Sequence, residues 1–74
     1  MTISNSILSG NVADLSGGGI YNNVGTVTVE NSSSITGNLG GDGDFGADVD
    51  NRSVLYLDST STIGFLYGNS AIPF

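Results

Sequence analysis

Residues 17–38 read GGGIYNNVGTVTVENSSSITGN, and this stretch decides the fold. At its centre Thr26-Val27-Thr28-Val29 alternates polar with apolar, the period-two signature of a strand with one buried face. Ile20-Tyr21 and Ser34-Ile35 flank it as shorter runs of strand-favouring residues. Gly17 to Gly19, Asn22-Asn23 and Gly37-Asn38 punctuate these runs, and Gly and Asn are the residues that end strands and build bends. No apolar period of 3.6 residues is present in this stretch, so no helix is expected.

The stretch recurs on both sides. Ile3, Val29 and Leu57 correspond at steps of 26 and 28, and Leu8, Ile35 and Ile63 at steps of 27 and 28. Residues 17–23 align with residues 46–52 at a step of 29, which pairs Ile20 with Val49, Tyr21 with Asp50 and Asn22 with Asn51. A Gly-Asn pair closes each segment: Gly10-Asn11, Gly37-Asn38 and, later than strict spacing expects, Gly68-Asn69. The chain is thus about two and a half copies of a unit near 28 residues, and such a period marks a repeat architecture. If each unit is one coil, equivalent residues stack about 4.8 Å apart on parallel strands. The expected apolar ladders are Ile3/Val29/Leu57, Leu8/Ile35/Ile63 and Ile20/Val49. The expected Asn ladders are Asn5/Asn31, Asn11/Asn38/Asn69 and Asn22/Asn51. Inward positions are Ile3, Leu8, Ile20, Val27, Val29, Ile35, Val49, Leu55, Leu57 and Ile63. Residues 17–19 should carry a tight bend or let backbones stack closely.

Composition narrows the function. Gly, Ser, Asn and Thr make up half of the 74 residues, and one Arg faces seven carboxylates, for a net charge of −6. The 38% apolar share and the scarcity of Pro, Lys, Glu and Gln favour a folded chain over a disordered one. With no Cys and no His, zinc, haem and iron–sulfur sites, disulfides and His-based catalysis are all excluded. A single cation cannot neutralise a phosphate backbone, so no nucleic-acid partner is expected. No run is long enough for a membrane-spanning helix, and residues 1–6 lack the basic and apolar regions of a signal peptide. The 74 residues hold one domain at most, and the expectation is a single segment, 1–74, of a longer solenoid.

The 17–38 unit resembles the repeats of right-handed parallel β-helix proteins of the pectin-lyase-like type. It is similar to the Gly-Gly-x-Ile repeats of polymorphic outer-membrane proteins and related bacterial surface proteins. Residues 2–11 and 46–63 extend the resemblance over nearly the whole chain, although Gly46-Ala47-Asp48-Val49 replaces Gly-Gly-Gly-Ile. The resemblance implies an all-β, right-handed parallel β-helix of two to three turns without α-helix. It also implies an extracellular or cell-surface location, a structural or adhesive role, and a glycan or protein surface as partner.

Three constellations bear on chemistry. Asp42, Asp44, Asp48 and Asp50 place four carboxylates in nine residues, and clustered hard oxygen ligands suit Ca²⁺. The plainer reading, a solvated acidic loop, is preferred, with calcium as the alternative cofactor. Arg52 follows Asp48 and Asp50. Polysaccharide lyases on this fold resemble one another in using a basic residue near bound Ca²⁺, so a carbohydrate-active, pectate-lyase-like enzyme is the alternative function. No catalytic residue is assigned. The Thr26-Val27-Thr28 and Thr60-Ser61-Thr62 pairs invite an ice-binding reading, but Thr28 aligns with Tyr56 and the array fails. Finally, Phe65, Tyr67 and Phe74 with Leu66, Ile72 and Pro73 are expected to plug one end of the coil, since solenoids need caps. The other end starts on a repeat strand, and open strand edges invite self-association.

Overall fold

The computed structural model describes residues 1–13, 18–40 and 47–74, and these residues form ten short strands and no helix. The strands fall into successive triplets. The first is β1 (Thr2–Ser4), β2 (Ile7–Leu8) and β3 (Ile20–Asn22). The second is β4 (Thr26–Glu30), β5 (Ser34–Ile35) and β6 (Val49–Asn51). The third is β7 (Val54–Leu57), β8 (Thr62–Ile63) and β9 (Leu66–Gly68), followed by β10 (Ile72–Pro73).

Each member of a triplet joins a different parallel sheet. The sheets run β1-β4-β7-β10, β2-β5-β8 and β3-β6-β9. The register matches the repeat alignment. Ile3 pairs with Val29 and Val29 with Leu57; Leu8 pairs with Ile35 and Ile35 with Ile63; Ile20 pairs with Val49. Thr2, Thr28 and Tyr56 share one row, so the tyrosine breaks any flat threonine array.

All ten residues expected to face inward do so. Ile20, Val27, Val29, Ile35, Val49 and Leu55 form the buried core, and Ile3, Leu8, Leu57 and Ile63 pack against it half-buried. Val29 and Ile35 have a strand on each side and are wholly buried, whereas Ile3 and Leu8 lie on strands paired on one side only. Gly18 and Gly19 serve close approach rather than unusual torsion. A Cβ at Gly18 would lie 2.5 Å from the Leu39 nitrogen, and one at Gly19 would lie 2.9 Å from Ile35 Cγ2.

The Asn rows hold in part. Asn22 Nδ2 donates to Asn51 Oδ1 at 2.8 Å, and Asn11 Nδ2 to Asn38 Oδ1 at 2.9 Å. Asn5 and Asn31 adopt left-handed backbone, with φ of 49° and 57°. Their side chains do not ladder with each other, since the Asn31 amide donates to Ser4 Oγ at 2.8 Å.

The period of 28 fails in the third triplet, which corrects two expectations. Thirteen residues separate β5 from β6, but only Gly64 and Phe65 separate β8 from β9. The chain therefore reaches Leu66 at once, and Leu66-Tyr67-Gly68 pairs with Val49-Asp50-Asn51. Asn69 consequently leaves the Asn11/Asn38 row: its N–H donates to the Asn51 carbonyl at 2.7 Å. The C-terminal apolar group covers this end of the strand rows only in part. Leu66 packs on the core within β9, while Phe65, Ile72 and Phe74 remain exposed. Among the described residues no helix is long and apolar enough to cross a membrane.

Candidate functional site

The β3-β6-β9 sheet brings Tyr21, Asp50 and Tyr67 together with the chain's one arginine, Arg52. Strand alternation turns Ile20, Val49 and Leu66 toward the core, so Tyr21, Asp50 and Tyr67, one residue on and in register, lie in one outer row. Arg52 folds back over this row. Its Nε donates to Asp50 Oδ1 at 2.8 Å and its Nη2 to Asp50 Oδ2 at 3.1 Å, a two-point fork. Its guanidinium carbon lies 5.9 Å from the centre of the Tyr67 ring, within cation–π range. The Asp50 side chain is fully covered, while that of Arg52 stays 47% exposed. The hydrogen bond to Asp50, followed by its charge, raises the Arg52 pKa above the usual guanidinium value, with burial opposing the rise and Tyr21 and Tyr67 adding to it.

The backbone fixes this arrangement. The Arg52 N–H donates to the Asn22 carbonyl at 2.8 Å. Asn51 beneath it accepts from Asn22 Nδ2 and from the Ser53 N–H, and donates to the Asn69 carbonyl at 3.2 Å. Beside Tyr21, at the bend from β3 to β4, lies an open groove of about 500 Å³ lined by residues 21–27 and Met1.

Of the four carboxylates singled out for calcium, Asp42 and Asp44 lie outside the described residues. Asp48 and Asp50 are both buried and already engaged. Asp48 Oδ1 accepts the Asn38 N–H at 2.7 Å, and its Oδ2 accepts the Phe65 N–H at 2.9 Å. Asp50 is bound to Arg52. Among the described residues no three acidic side chains converge on one point.

The alignment of residues 17–23 with 46–52 had already placed Tyr21 opposite Asp50. It missed Tyr67, because a fixed step of 28 carries the third row past it. The signal that finds it is local: Leu66-Tyr67-Gly68 repeats the apolar-outward-bend order of Ile20-Tyr21-Asn22.

No family model matches the chain, and neither a curated protein nor a solved structure matches it.

Proposed function

We propose that the chain is a segment of a right-handed parallel β-helix that acts as a structural or adhesive surface of an exported bacterial repeat protein, with no catalysis of its own. The observation that carries this reading is the register. Three sheets each take one strand from every triplet in the same order, and apolar and Asn rows run across them. A single coil winding through three faces satisfies that order. Crossovers between parallel strands are right-handed in nearly all cases, which supports the hand. The location and the partner class, a glycan or protein surface, rest on the resemblance of residues 17–38 to surface-protein repeats.

The chemistry of Arg52 supports the absence of catalysis. A general base must give up its proton, and the two-point fork to Asp50 favours the charged guanidinium. Both carboxylates beside it are occupied by the fold itself.

The test is incubation of the folded chain with polygalacturonate, followed by absorbance of unsaturated products. No release above buffer is expected, and Arg52→Ala should behave as the parent does. Release that is abolished in Arg52→Ala would replace this reading with the lyase one.

A further inference from the structure

We propose that the end of the coil formed by β1, β2 and β3 pairs with the same end of a second copy of this chain, closing a symmetric dimer. The inference goes beyond the surface-segment reading and rests on strand pairing. Three observations carry it.

The first is the edge itself. Among the described residues β1, β2 and β3 are each paired on one side only, with β4, β5 and β6. The Met1, Ser6 and Leu8 carbonyls accept N–H groups of the next coil, those of Thr28, Ser34 and Thr36. Backbone groups of successive strand residues point opposite ways, so Thr2, Ser4 and Ile7 turn theirs to the open side. The Ser4 carbonyl accepts the Ser6 hydroxyl at 2.7 Å and keeps a second lone pair. Ile3 and Leu8 stand half-buried at the ends of their apolar rows, with a strand on one side only. An unpaired edge of this kind is a template for another strand.

The second is the opposite end, which does not accept this one. β10 pairs with β7 and fills the place that the β1 of a second copy would need to continue all three sheets. The Phe74 N–H donates to the Leu57 carbonyl at 3.3 Å. Pro73 therefore turns its nitrogen to the open side, where it has no N–H to give. Head-to-tail growth is blocked on that sheet. The same end on both copies remains, and two identical surfaces close as an isologous pair.

The third is charge. The chain carries −6, so two copies repel unless they meet where charge is sparse. The described residues of the first triplet and its bends, 1–13 and 18–25, contain no charged side chain. Glu30, Asp48, Asp50, Arg52 and Asp58 all lie on the later triplets. The uncharged residues also include the exposed apolar side chains of Met1, Ile7, Val12, Tyr21 and Val24.

The test is sedimentation velocity of the 74-residue chain from about 1 µM to about 1 mM, the span of weak to moderate affinities. A reversible monomer–dimer equilibrium with no larger species is expected. Thr2→Pro removes the open-side N–H of β1 and leaves its pairing with β4 in place. It should weaken the dimer roughly tenfold or more, since each copy loses a hydrogen bond. Ile7→Lys brings like charges together at the joint and should also weaken it. Ile72→Lys, at the opposite end, should dimerise as the parent does. The Ile7 and Ile72 side chains are both exposed, and circular dichroism of each protein is recorded alongside. A folded parent that stays monomeric, or one that grows into polymers, overturns the pairing and leaves the surface-segment reading standing. So does a dimer indifferent to Thr2→Pro and Ile7→Lys, or one lost in Ile72→Lys. A parent without a strand signal overturns both.

Discussion

Asp48 bonds to residues of all three strand triplets, and Asp48→Asn measures how far the fold depends on it. The residue is 5% exposed. Its carbonyl accepts the Gly19 and Ile20 N–H groups at 2.8 and 3.1 Å, and its own N–H donates to the Phe65 carbonyl at 2.9 Å. Its carboxylate accepts from Asn38 and Phe65. The three strand triplets therefore meet at one residue. Substitution by Asn keeps size and shape but turns one acceptor into a donor, which then faces a backbone N–H. Losing a hydrogen bond to a charged acceptor costs about 1.5–3 kcal/mol, and stranding the buried N–H brings the total to roughly 2–4 kcal/mol. A chain of 74 residues has a total stability of about 4–11 kcal/mol at the usual value per residue. Asp48→Asn should thus remove a large fraction of the stability, and Asp48→Ala, which loses both acceptors, should leave little folded chain. The assay is urea unfolding followed by circular dichroism, comparing midpoints at constant slope. A change of less than about 0.5 kcal/mol for Asp48→Asn, the range of ordinary surface substitutions, would refute the role assigned to this carboxylate.

Three further outcomes follow from the same contacts. Gly68 has φ of +95° and its position for a Cβ is filled by the Asn51 carbonyl, whereas Gly10 has φ of +69° and open space around it. Gly10→Ala should cost about 1–2 kcal/mol from the left-handed torsion alone, and Gly68→Ala clearly more; equal losses in urea unfolding would contradict the packing at Gly68. The Asp58 carboxyl is held below the usual carboxylate range, first by the Asn31 N–H, then by Ser61 and Thr60, with burial opposing. Its folded pKa lies below its unfolded one, so its stabilisation is complete above about pH 4 and fades as pH falls through the folded value. Asp58→Asn should therefore flatten the decline in melting temperature below pH 4, and an unchanged acid profile would remove the residue from that role. Millimolar Ca²⁺ should leave the urea midpoint where it is, because Asp48 and Asp50 are already engaged; a calcium-dependent rise that Asp48→Asn abolishes would restore the metal reading.

The sequence disclosed the parts of the fold that repeat. Ile3, Val29 and Leu57 could be set in one row because each lies in a short alternating run bounded by Gly and Asn, and the strands pair in that register. Inward positions followed from the same alternation. Tyr67 and Asn69 were misplaced because spacing carries information only while linker lengths stay constant. The step from Ile20 to Val49 is 29 residues, but from Val49 to Leu66 it is 17. Asp48 was read by type, as one carboxylate among four clustered ones. Its actual partners are backbone N–H groups of Asn38 and Phe65, 10 and 17 residues away. No residue-type pattern announces a bond to backbone, since every residue except Pro has the donor.

The short third linker explains why a carboxylate is needed there at all. The first two linkers support each other: the Gly10 N–H donates to the Gly37 carbonyl, the Leu39 N–H to the Asn11 carbonyl, and the Asn11 N–H to Asn38 Oδ1. The second linker has only Gly64 and Phe65 on its other side, too few residues to supply a matching row of carbonyls. A backbone N–H left without an acceptor in a buried site costs about as much as a lost hydrogen bond. Asp48 supplies the missing acceptors from a side chain, one oxygen to Asn38 within its own triplet and one to Phe65 in the next. Gly64 makes room for it: a Cβ at that position would lie 2.7 Å from Asp48 Oδ2. The departure from Gly-Gly-Gly-Ile at Gly46-Ala47-Asp48-Val49 and the departure from a 28-residue period are therefore one structural event. Where the repeat is shortened, a charged side chain takes over the hydrogen bonding that the neighbouring linker provides elsewhere.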